Sequence, residues 1–189
     1  MQMRSEQPAT EKTRYIIRYA EARDAAELSE LRVRIDGETE HMDREAGEAL
    51  IDERGFAELI EADRSSPVRL FLVAEADDRL VGYARCEAGS LRRFAHRAEF
   101  GVCVLRDYWG CGIGSSLLRA VLEWADAGET IAKIQLSVVA TNESAIRLYR
   151  KYGFEIEGVL RNDRIHADGR FYDTVLMGRF RDRASLAGR

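Results

Sequence analysis

Short segments of apolar and β-branched residues recur along the chain, with the length and alternation typical of β-strands. Two pairs of these segments are joined by turn-forming residues, at Asp77-Asp78 and at Ala167-Asp168-Gly169, and each pair is predicted to form a hairpin. The pattern predicts strands at residues 15–19, 69–76, 80–87, 99–105, 134–139, 154–165 and 170–180.

Between these segments, apolar residues recur every three or four positions, which is the spacing of one face of an α-helix. Asp24 begins the first such segment as a predicted N-cap, and Leu28, Leu31 and Ile35 follow on one stripe. Three further helices are predicted: residues 47–62, stopped by Ser65-Ser66-Pro67; residues 113–127, stopped by Gly128; and residues 142–152.

The order of strands and helices indicates an α/β fold with a single core. We expect a mixed central sheet of about seven strands flanked by about four helices. A chain of 189 residues has the size of one domain, and no linker, repeat or low-complexity tract divides it. Residues 14–182 are therefore predicted to form one domain between tails at residues 1–13 and 183–189.

Composition argues against several classes of protein. Hydrophobic residues make up 46% of the chain and charged residues 33%, which is typical of a folded globular domain rather than a disordered or membrane-spanning one. The net charge of −4 opposes a nucleic-acid partner, which would require a basic face. Cys86, Cys103 and Cys111 have neither metal-ligand nor disulfide spacing. We therefore expect no metal, no membrane association and a reduced, cytoplasmic protein.

A glycine-rich segment follows the strand predicted at residues 99–105. Gly110, Gly112 and Gly114 stand at alternate positions, two serines come next, and an apolar helical pattern then begins. Glycines let a backbone approach a ligand closely, and the free N–H groups at a helix start favour an anion, so the segment is typical of a phosphate site. The absence of a following lysine opposes a mononucleotide P-loop, and the glycine spacing does not fit a dinucleotide fingerprint.

A second motif follows the strand predicted at residues 134–139. It begins at Asn142 and reads Asn-Glu-Ser-Ala-Ile-Arg-Leu-Tyr-Arg-Lys-Tyr-Gly-Phe. This motif resembles the Asn-x-x-Ala-x-x-Leu-Tyr-x-Lys-x-Gly-Phe pattern of the GNAT N-acetyltransferases at every specified position. The glycine segment is similar to the family's Arg/Gln-x-x-Gly-x-Gly/Ala loop, with Gly112 and Gly114 in place and Trp109 where Arg or Gln is usual. The resemblance implies the GNAT fold, with splayed strands at an acetyl-CoA site.

The resemblance also implies which residues would bind acetyl-CoA. Three residues of the strand before the glycines would pair their backbone with pantetheine: Val102, Cys103 and Val104. The pyrophosphate would lie over the glycine loop, held mainly by the backbone N–H groups of Trp109, Gly110, Cys111, Gly112, Ile113, Gly114 and Ser115, with Ser116 assisting. Asn142 would bind the pantetheine arm, and it has an equally good structural role as a helix N-cap.

The resemblance implies that Tyr149 protonates the departing thiolate. Tyr149 follows Asn142 by seven residues, almost two helical turns, so the two side chains lie on nearly the same face. The general base stays open between Glu99, which matches a glutamate that many relatives carry, His96, whose ordinary pKa suits proton transfer near neutral pH, and a water chain. A covalent acyl-enzyme would need a nucleophile, for which Cys103 is one of two nearby cysteines; we expect direct transfer instead.

The choice of acceptor is expected to depend on the first two helices, their connecting loop and the last hairpin, as in the family. Residues 36–53 carry eight acids against one arginine, Arg44. An acidic mouth would attract a cationic amine, with Glu38 and Glu40 as the substrate-binding residues to test, although a charge run is more often a solvated face. Three basic residues of the last hairpin could instead bind a carboxylate-bearing acceptor: Arg161, Arg164 and His166.

The function implied by the resemblance is N-acetyl transfer from acetyl-CoA to a primary amine of a small molecule or peptide, directly and in a ternary complex. Two alternatives stay open: a catalytically weak acetyl-CoA-binding regulatory module, and a transferase for a longer acyl-CoA. A homodimer is compatible with the family, in which dimers are common.

Overall fold

The computed structural model describes residues 13–181. One seven-stranded sheet runs through them in the order β1-β2-β3-β4-β5-β7-β6. The strands are β1 (Ile16–Tyr19), β2 (Arg69–Ala76), β3 (Arg79–Ala88), β4 (Arg97–Val104), β5 (Lys133–Val139), β6 (Glu155–Ile165) and β7 (Phe171–Phe180). The α-helices are α1 (Ala25–Glu38), α2 (Glu53–Arg64), α3 (Ile113–Ala127) and α4 (Glu143–Lys151). The predicted α/β fold is confirmed, whereas the predicted tails lie outside the described residues except for Thr13.

Strands β4 and β5 form the parallel pair of this sheet, and they separate soon after they meet. Their pairing begins at Arg97 with Lys133 and ends at Glu99 with Gln135, although both strands continue well beyond that point. Each strand stays paired on its other side, β4 with β3 and β5 with β7. The sheet therefore remains continuous while a gap opens inside it, and the predicted splay is confirmed.

The gap exposes backbone groups of β4. Residues along a strand direct their N–H and C=O groups alternately to the two neighbouring strands. Leu105 donates its N–H to the carbonyl oxygen of Val81 in β3, at 2.9 Å, so Cys103 also directs its backbone to β3. Val102 and Val104 then direct theirs into the gap. Backbone groups at such a place need a partner, and the gap is therefore suited to a ligand that carries polar groups along its length.

The two faces of β4 contribute to different halves of the gap. Phe100 is buried on the face covered by α4, where its ring meets the edge of the Tyr149 ring at 6.4 Å between centroids. Glu99, Gly101 and Cys103 lie on the opposite face by strand alternation. There the Cys103 Sγ lies 3.6 Å from the Met42 Sδ, in the loop between α1 and α2. The gap thus connects the space beside α4 with the space under that loop.

Helix α2 begins later than the predicted residue 47. Gly47 and Ala49 have positive φ angles of 81° and 47°, which the interior of a right-handed helix does not accommodate. Asp52 is the N-cap and accepts the Gly55 N–H at 2.8 Å. Residues 39–52 therefore form a loop, and the first part of this loop crosses the Cys103 face of β4.

Asp24 precedes α1 as predicted, but its side chain does not cap that helix. The Asp24 carboxylate accepts the N–H of Glu21 at 2.8 Å and pairs with the guanidinium of Arg18 at 2.7 Å. The predicted N-cap position is confirmed, but the capping hydrogen bond is not made because the carboxylate is already occupied by these two groups, which join β1 to the start of α1.

Candidate active site

A cleft of roughly 940 Å³ follows the gap between β4 and β5. Its lining comes from β3, β4 and β5, from the segment that leads into α3, from α4 and its N-cap, and from the beginning of the α1–α2 loop. Within residues 13–181, no helix is long and apolar enough to cross a membrane. The same residues contain no group of three or more His, Cys, Asp or Glu side chains placed to hold a metal ion.

The glycine loop forms one end of the cleft. Gly110 and Gly112 have φ angles of +77° and +87°, which favour glycine over any other residue. A Cβ atom built on Gly110 or Gly114 would meet no protein atom within 4 Å, so these glycines leave open space at the helix start. This space lies beside the first turn of α3, a helix of 15 residues.

The N–H groups of that first turn are available to an anion. The N–H of Ser116 is the first to bond inside the helix, to the carbonyl oxygen of Gly112 at 3.0 Å. Within the part of the chain that the structure describes, the N–H groups of residues 112–115 have no acceptor. Free N–H groups at the positive end of a helix dipole bind phosphate. The arrangement therefore fits the pyrophosphate of acetyl-CoA.

Three residues predicted for this loop are used in other ways. Trp109 donates its backbone N–H to Arg106 at 3.0 Å and its indole Nε1–H to the Val104 carbonyl at 2.7 Å. Its N–H is thus unavailable to phosphate, because it closes the short 3₁₀ turn before the loop. Cys111 lies outside the cleft, with its Sγ 3.5 Å from the hydroxyl of Thr13. Ser116 shares a hydrogen bond with the Tyr15 hydroxyl at 2.9 Å, so its side chain is also occupied.

Val102 and Val104 are placed to meet a pantetheine arm. Both line the cleft, and their backbone groups point into the gap. The Val104 carbonyl already accepts the Trp109 indole N–H. The groups that remain for a ligand are the Val104 N–H and both the N–H and the C=O of Val102. Cys103, which was predicted with them, directs its backbone to β3 and presents only its side chain to the cleft.

Asn142 combines the two roles that were weighed from the sequence. Its Oδ1 accepts the N–H of Ala145 at 3.2 Å, so it is the N-cap of α4. The residue also lines the cleft, and its amide NH₂ has no partner among the described residues. The cap therefore fixes the side chain while leaving a donor for a carbonyl of the pantetheine arm.

Tyr149 lies on the α4 side of the gap. The residue is 8% exposed, and its ring packs between Phe100 and Phe154. Its hydroxyl has no hydrogen-bond partner in the described chain and is not enclosed by protein, so it opens to the cleft. Burial raises the pKa of Tyr149 well above the usual value for a tyrosine. The side chain is therefore a protonated donor at neutral pH, as a proton source for a thiolate must be.

Glu99 lies on the other side of the gap. Its cross-strand neighbours are Glu87 on β3 and Gln135 on β5, and its carboxylate has no hydrogen bond or ion pair among the described residues. Glu99 lines the cleft, whereas His96, the other side chain predicted as a base, is exposed and lies outside it. The structure thus brings Glu99, but not His96, to the site.

The acidic segment does not form an open acidic mouth. Glu38 accepts the backbone N–H of Arg106 at 2.7 Å and pairs with Arg34 at 3.0 Å. Glu40 pairs with His166 at 3.0 Å. Neither lines the cleft. Six of the eight acids contact another protein group: Asp36, Glu38, Glu40, Asp43, Glu48 and Asp52. The expected substrate contacts of Glu38 and Glu40 are therefore unsupported, because their carboxylates hold the loop in place.

The basic residues of the last hairpin also lie outside the cleft. Arg164 pairs with Asp43 at 3.0 Å, and His166 pairs with Glu40. The Arg161 side chain is 83% exposed. Arg164 and His166 thus bind side chains of the α1–α2 loop and do not line the cleft.

The cleft residues that were not predicted as site residues include three with basic side chains: His41, Arg44 and Arg85. Burial, aided by the nearby charges of His166 and Arg106, lowers the pKa of His41, which favours a neutral imidazole. Arg44 was visible as the single arginine in the acidic segment. Arg85 stands among the polar positions of an alternating strand, together with Glu87, and that alternation was the available signal.

Comparisons with known proteins agree with this geometry. The sequence profile of the Acetyltransferase (GNAT) family matches residues 36–154. An L-amino acid N-acetyltransferase, AaaT of Escherichia coli K12, is 35% identical over 57% of this chain and 66% of its own length. A spermidine N(1)-acetyltransferase of the same strain is 28% identical over 56% of this chain and 55% of its own length. The chain thus spans less than two thirds of these relatives.

A solved structure extends the likeness to nearly the whole chain. The crystal structure of a GNAT-family acetyltransferase from Streptococcus pneumoniae superimposes with a TM-score of 0.86 at 30% sequence identity. The match covers 89% of this chain and 100% of that protein. The splayed sheet, the glycine loop and the family profile all lead to one assignment. This chain belongs to the GNAT acetyltransferase family.

Proposed function

We propose that the protein is an acetyl-CoA-dependent N-acetyltransferase that acetylates a primary amine of a small molecule or peptide by direct transfer. One observation carries this proposal. A single cleft joins the phosphate-binding start of α3, the unpaired backbone of Val102 and Val104, the Tyr149 hydroxyl and, on the opposite face of β4, the Glu99 carboxylate. These groups are what thioester aminolysis requires: a held donor, an oxyanion partner, an acid and a base.

The proposed reaction proceeds through a tetrahedral intermediate. The lone pair of the neutral amine attacks the thioester carbonyl carbon, a C–N bond forms, and the carbonyl oxygen takes the negative charge. The Val102 N–H in the gap is the proposed donor to that oxyanion. The C–S bond then breaks, and the thiolate takes the hydroxyl proton of Tyr149. The amine proton passes to Glu99, directly or through water, and solvent restores the proton of Tyr149.

Replacement of Glu99, the proposed base, tests the transfer of the amine proton. We expect Glu99→Gln to lower kcat/KM on the order of 100-fold, because the variant lacks a group that can accept the amine proton. The measurement is thiol release from acetyl-CoA across a pH series.

His96→Gln is the control, because His96 lies outside the cleft, and it should retain the wild-type profile. A wild-type profile in Glu99→Gln, together with its loss in His41→Gln, would transfer the role of base to the neutral imidazole of His41.

Direct transfer is tested by removing the cysteines. Burial raises the pKa of the Cys103 thiol to about 11, so the thiol is protonated and a poor nucleophile near neutral pH. We expect Cys103→Ala and Cys111→Ala to retain most of kcat in a thiol-release assay. Loss of turnover in either variant, with acetyl-CoA binding intact, would instead indicate a covalent acyl-enzyme.

The acceptor class is open to a panel assay. The relatives named above act on L-amino acids and on spermidine, and the cationic acceptor predicted from the acidic segment remains one arm of the panel. Thiol release from acetyl-CoA with polyamines, aminoglycosides, amino acids and peptide N-termini compares these classes, and a series of longer acyl-CoAs tests the acyl length. Tight acetyl-CoA binding without transfer to any acceptor would favour the regulatory alternative.

Three broader expectations complete the proposal: residues 14–182 as one domain, a cytoplasmic location and a homodimer. The single sheet supports the first of them. Light scattering on the purified chain measures the oligomeric state directly.

A further inference from the structure

The part of the cleft under the α1–α2 loop contains a recess on the Glu99 face of β4. Gly101 forms its floor, and a Cβ atom built there would meet no protein atom within 4 Å. Glu99 and Cys103 flank this glycine along the strand, and Arg85 is its cross-strand neighbour on β3. The missing side chain at Gly101 therefore leaves room for a ligand group beside the Arg85 guanidinium.

Two arginines face this part of the cleft, and each is held on a buried aspartate. Arg85 makes two hydrogen bonds to Asp63, from Nε at 2.6 Å and from Nη2 at 2.9 Å. Arg44 makes the same pair of bonds to Asp36, at 3.1 and 2.9 Å. The two aspartate side chains are only 1% and 2% exposed. Both guanidiniums are thus oriented before any ligand arrives, so the arginine side chains lose little conformational entropy when a ligand binds them.

The aspartates leave part of each guanidinium free. Among the described residues, the Nη1 atoms of Arg44 and Arg85 have no hydrogen-bond partner, and neither is enclosed by protein. Since both residues line the cleft, these N–H groups are available to a ligand in it. A guanidinium donates well to a carboxylate, whereas an ammonium group has no acceptor to offer these N–H groups.

The remaining acids of this region are already neutralised. Glu87 pairs with Arg85 at 2.7 Å and with Arg69 at 2.8 Å, and Asp43 pairs with Arg164 at 3.0 Å. Glu99 is then the one acid lining the described cleft that lacks an ion pair. The recess thus offers one free carboxylate and, near it, two sets of free guanidinium N–H groups.

We propose that the acceptor carries a carboxylate close to its amine, and that Arg44 and Arg85 bind this carboxylate while the amine faces Glu99. The acceptor is then an amino acid or a molecule built like one, rather than a polyamine. This inference rests on the proposed transferase function and names the substrate class of the same site.

Matched acceptors provide the first test. For each of several α-amino acids, the carboxamide and the decarboxylated amine are assayed beside it by thiol release from acetyl-CoA. We expect kcat/KM for the amino acid to exceed that for the decarboxylated amine by about tenfold to a hundredfold, the usual range for charge-assisted hydrogen bonds. Because the decarboxylated amine is more basic than the amino acid, kcat/KM is expressed per neutral amine for each compound, and the ratio then reports the carboxylate.

Paired substitutions provide the second test. Replacing an arginine alone would leave a buried aspartate unpaired, so we pair Arg85→Gln with Asp63→Asn, and Arg44→Gln with Asp36→Asn. Each pair can retain hydrogen bonds while it removes the guanidinium. We expect the preference for the amino acid over the decarboxylated amine to fall about tenfold or more in each. The matched control pairs Arg54→Gln with Glu58→Gln, an exposed ion pair on α2, and should keep the preference.

The outcomes separate this inference from the proposed function. Equal or better turnover of the decarboxylated amine, or a preference that survives both paired substitutions, would overturn the carboxylate site and leave the transferase standing. The proposed function would be overturned if none of the acceptors supported thiol release from acetyl-CoA. In that case calorimetry of amino-acid binding to the complex with CoA still tests the carboxylate site. Binding that both paired variants lose would support the site, and absence of binding to the wild type would overturn it.

Discussion

The Tyr149→Phe variant is expected to lose kcat by roughly 100-fold or more, with acetyl-CoA affinity close to that of the wild type. The reason is that the substitution removes only a proton donor, and general acids contribute about 10²–10⁴-fold to such steps. The hydroxyl has no hydrogen-bond partner within residues 13–181, whereas the ring packs against Phe100 and Phe154, so the fold keeps its contacts. The measurement is steady-state thiol release, with acetyl-CoA binding followed by calorimetry.

Tyr152→Phe is the matched control, because it makes the same change at the end of the same helix and outside the cleft lining. It should keep the wild-type kcat. In the wild type, burial raises the pKa of Tyr149, so the hydroxyl keeps its proton up to and beyond pH ~10, where an ordinary tyrosine ionises. No decline in kcat from this group is expected below that pH. Wild-type turnover in Tyr149→Phe would remove Tyr149 from the mechanism.

The Gly114→Leu variant is expected to weaken acetyl-CoA binding on the order of 100-fold or more, because a side chain there would occupy the space above the free N–H groups. Its φ angle is not in the left-handed region, and a Cβ there would touch no protein atom. Leucine also favours a helix over glycine by up to about 1 kcal/mol. Stability should therefore stay the same or rise while binding is lost, which thermal unfolding and calorimetry together can measure.

Glu123→Leu adds a leucine to the exposed side of the same helix and should leave acetyl-CoA affinity unchanged. Substitutions at Gly110 or Gly112 would be less informative, since their positive φ angles add backbone strain to any loss of binding. If Gly114→Leu kept the wild-type affinity, the pyrophosphate would have to lie elsewhere than over the start of α3.

Much of the fold was predictable because the chain's local patterns agree with one another. All seven strands lie where alternation and β-branched runs predicted them, and three of the four helices begin at or next to a predicted residue. Helix α2 was the exception, because the acidic residues before it have helix-compatible composition. The positive φ angles of Gly47 and Ala49 depend on how the loop packs, and Ala49 in particular carries no sequence signal of such a conformation.

The candidate site also has features that local sequence predicts and features that it does not. Residues whose role comes from backbone geometry, such as Gly112, Gly114 and the N-cap Asn142, could be predicted because their type and spacing specify the local conformation. Trp109 could not, since its N–H and indole bonds follow from the 3₁₀ turn between β4 and the loop. The protein partners of Glu38 and Glu40 were not predicted for a related reason, because charge alone does not reveal a partner that is distant in sequence.

By itself, the sequence determined the order of the elements, the glycine loop and the helix that carries Tyr149, because each depends on residues close together in the chain. Only the tertiary structure decided which charges face the cleft. Arg44 and Arg85 acquire their orientation from Asp36 and Asp63, and Arg85 lies far from Asp63 along the chain. The splay of β4 from β5 then brings the Glu99 face and the Tyr149 face to one gap. Such a juxtaposition arises from strand pairing across the sheet, which short-range patterns do not encode.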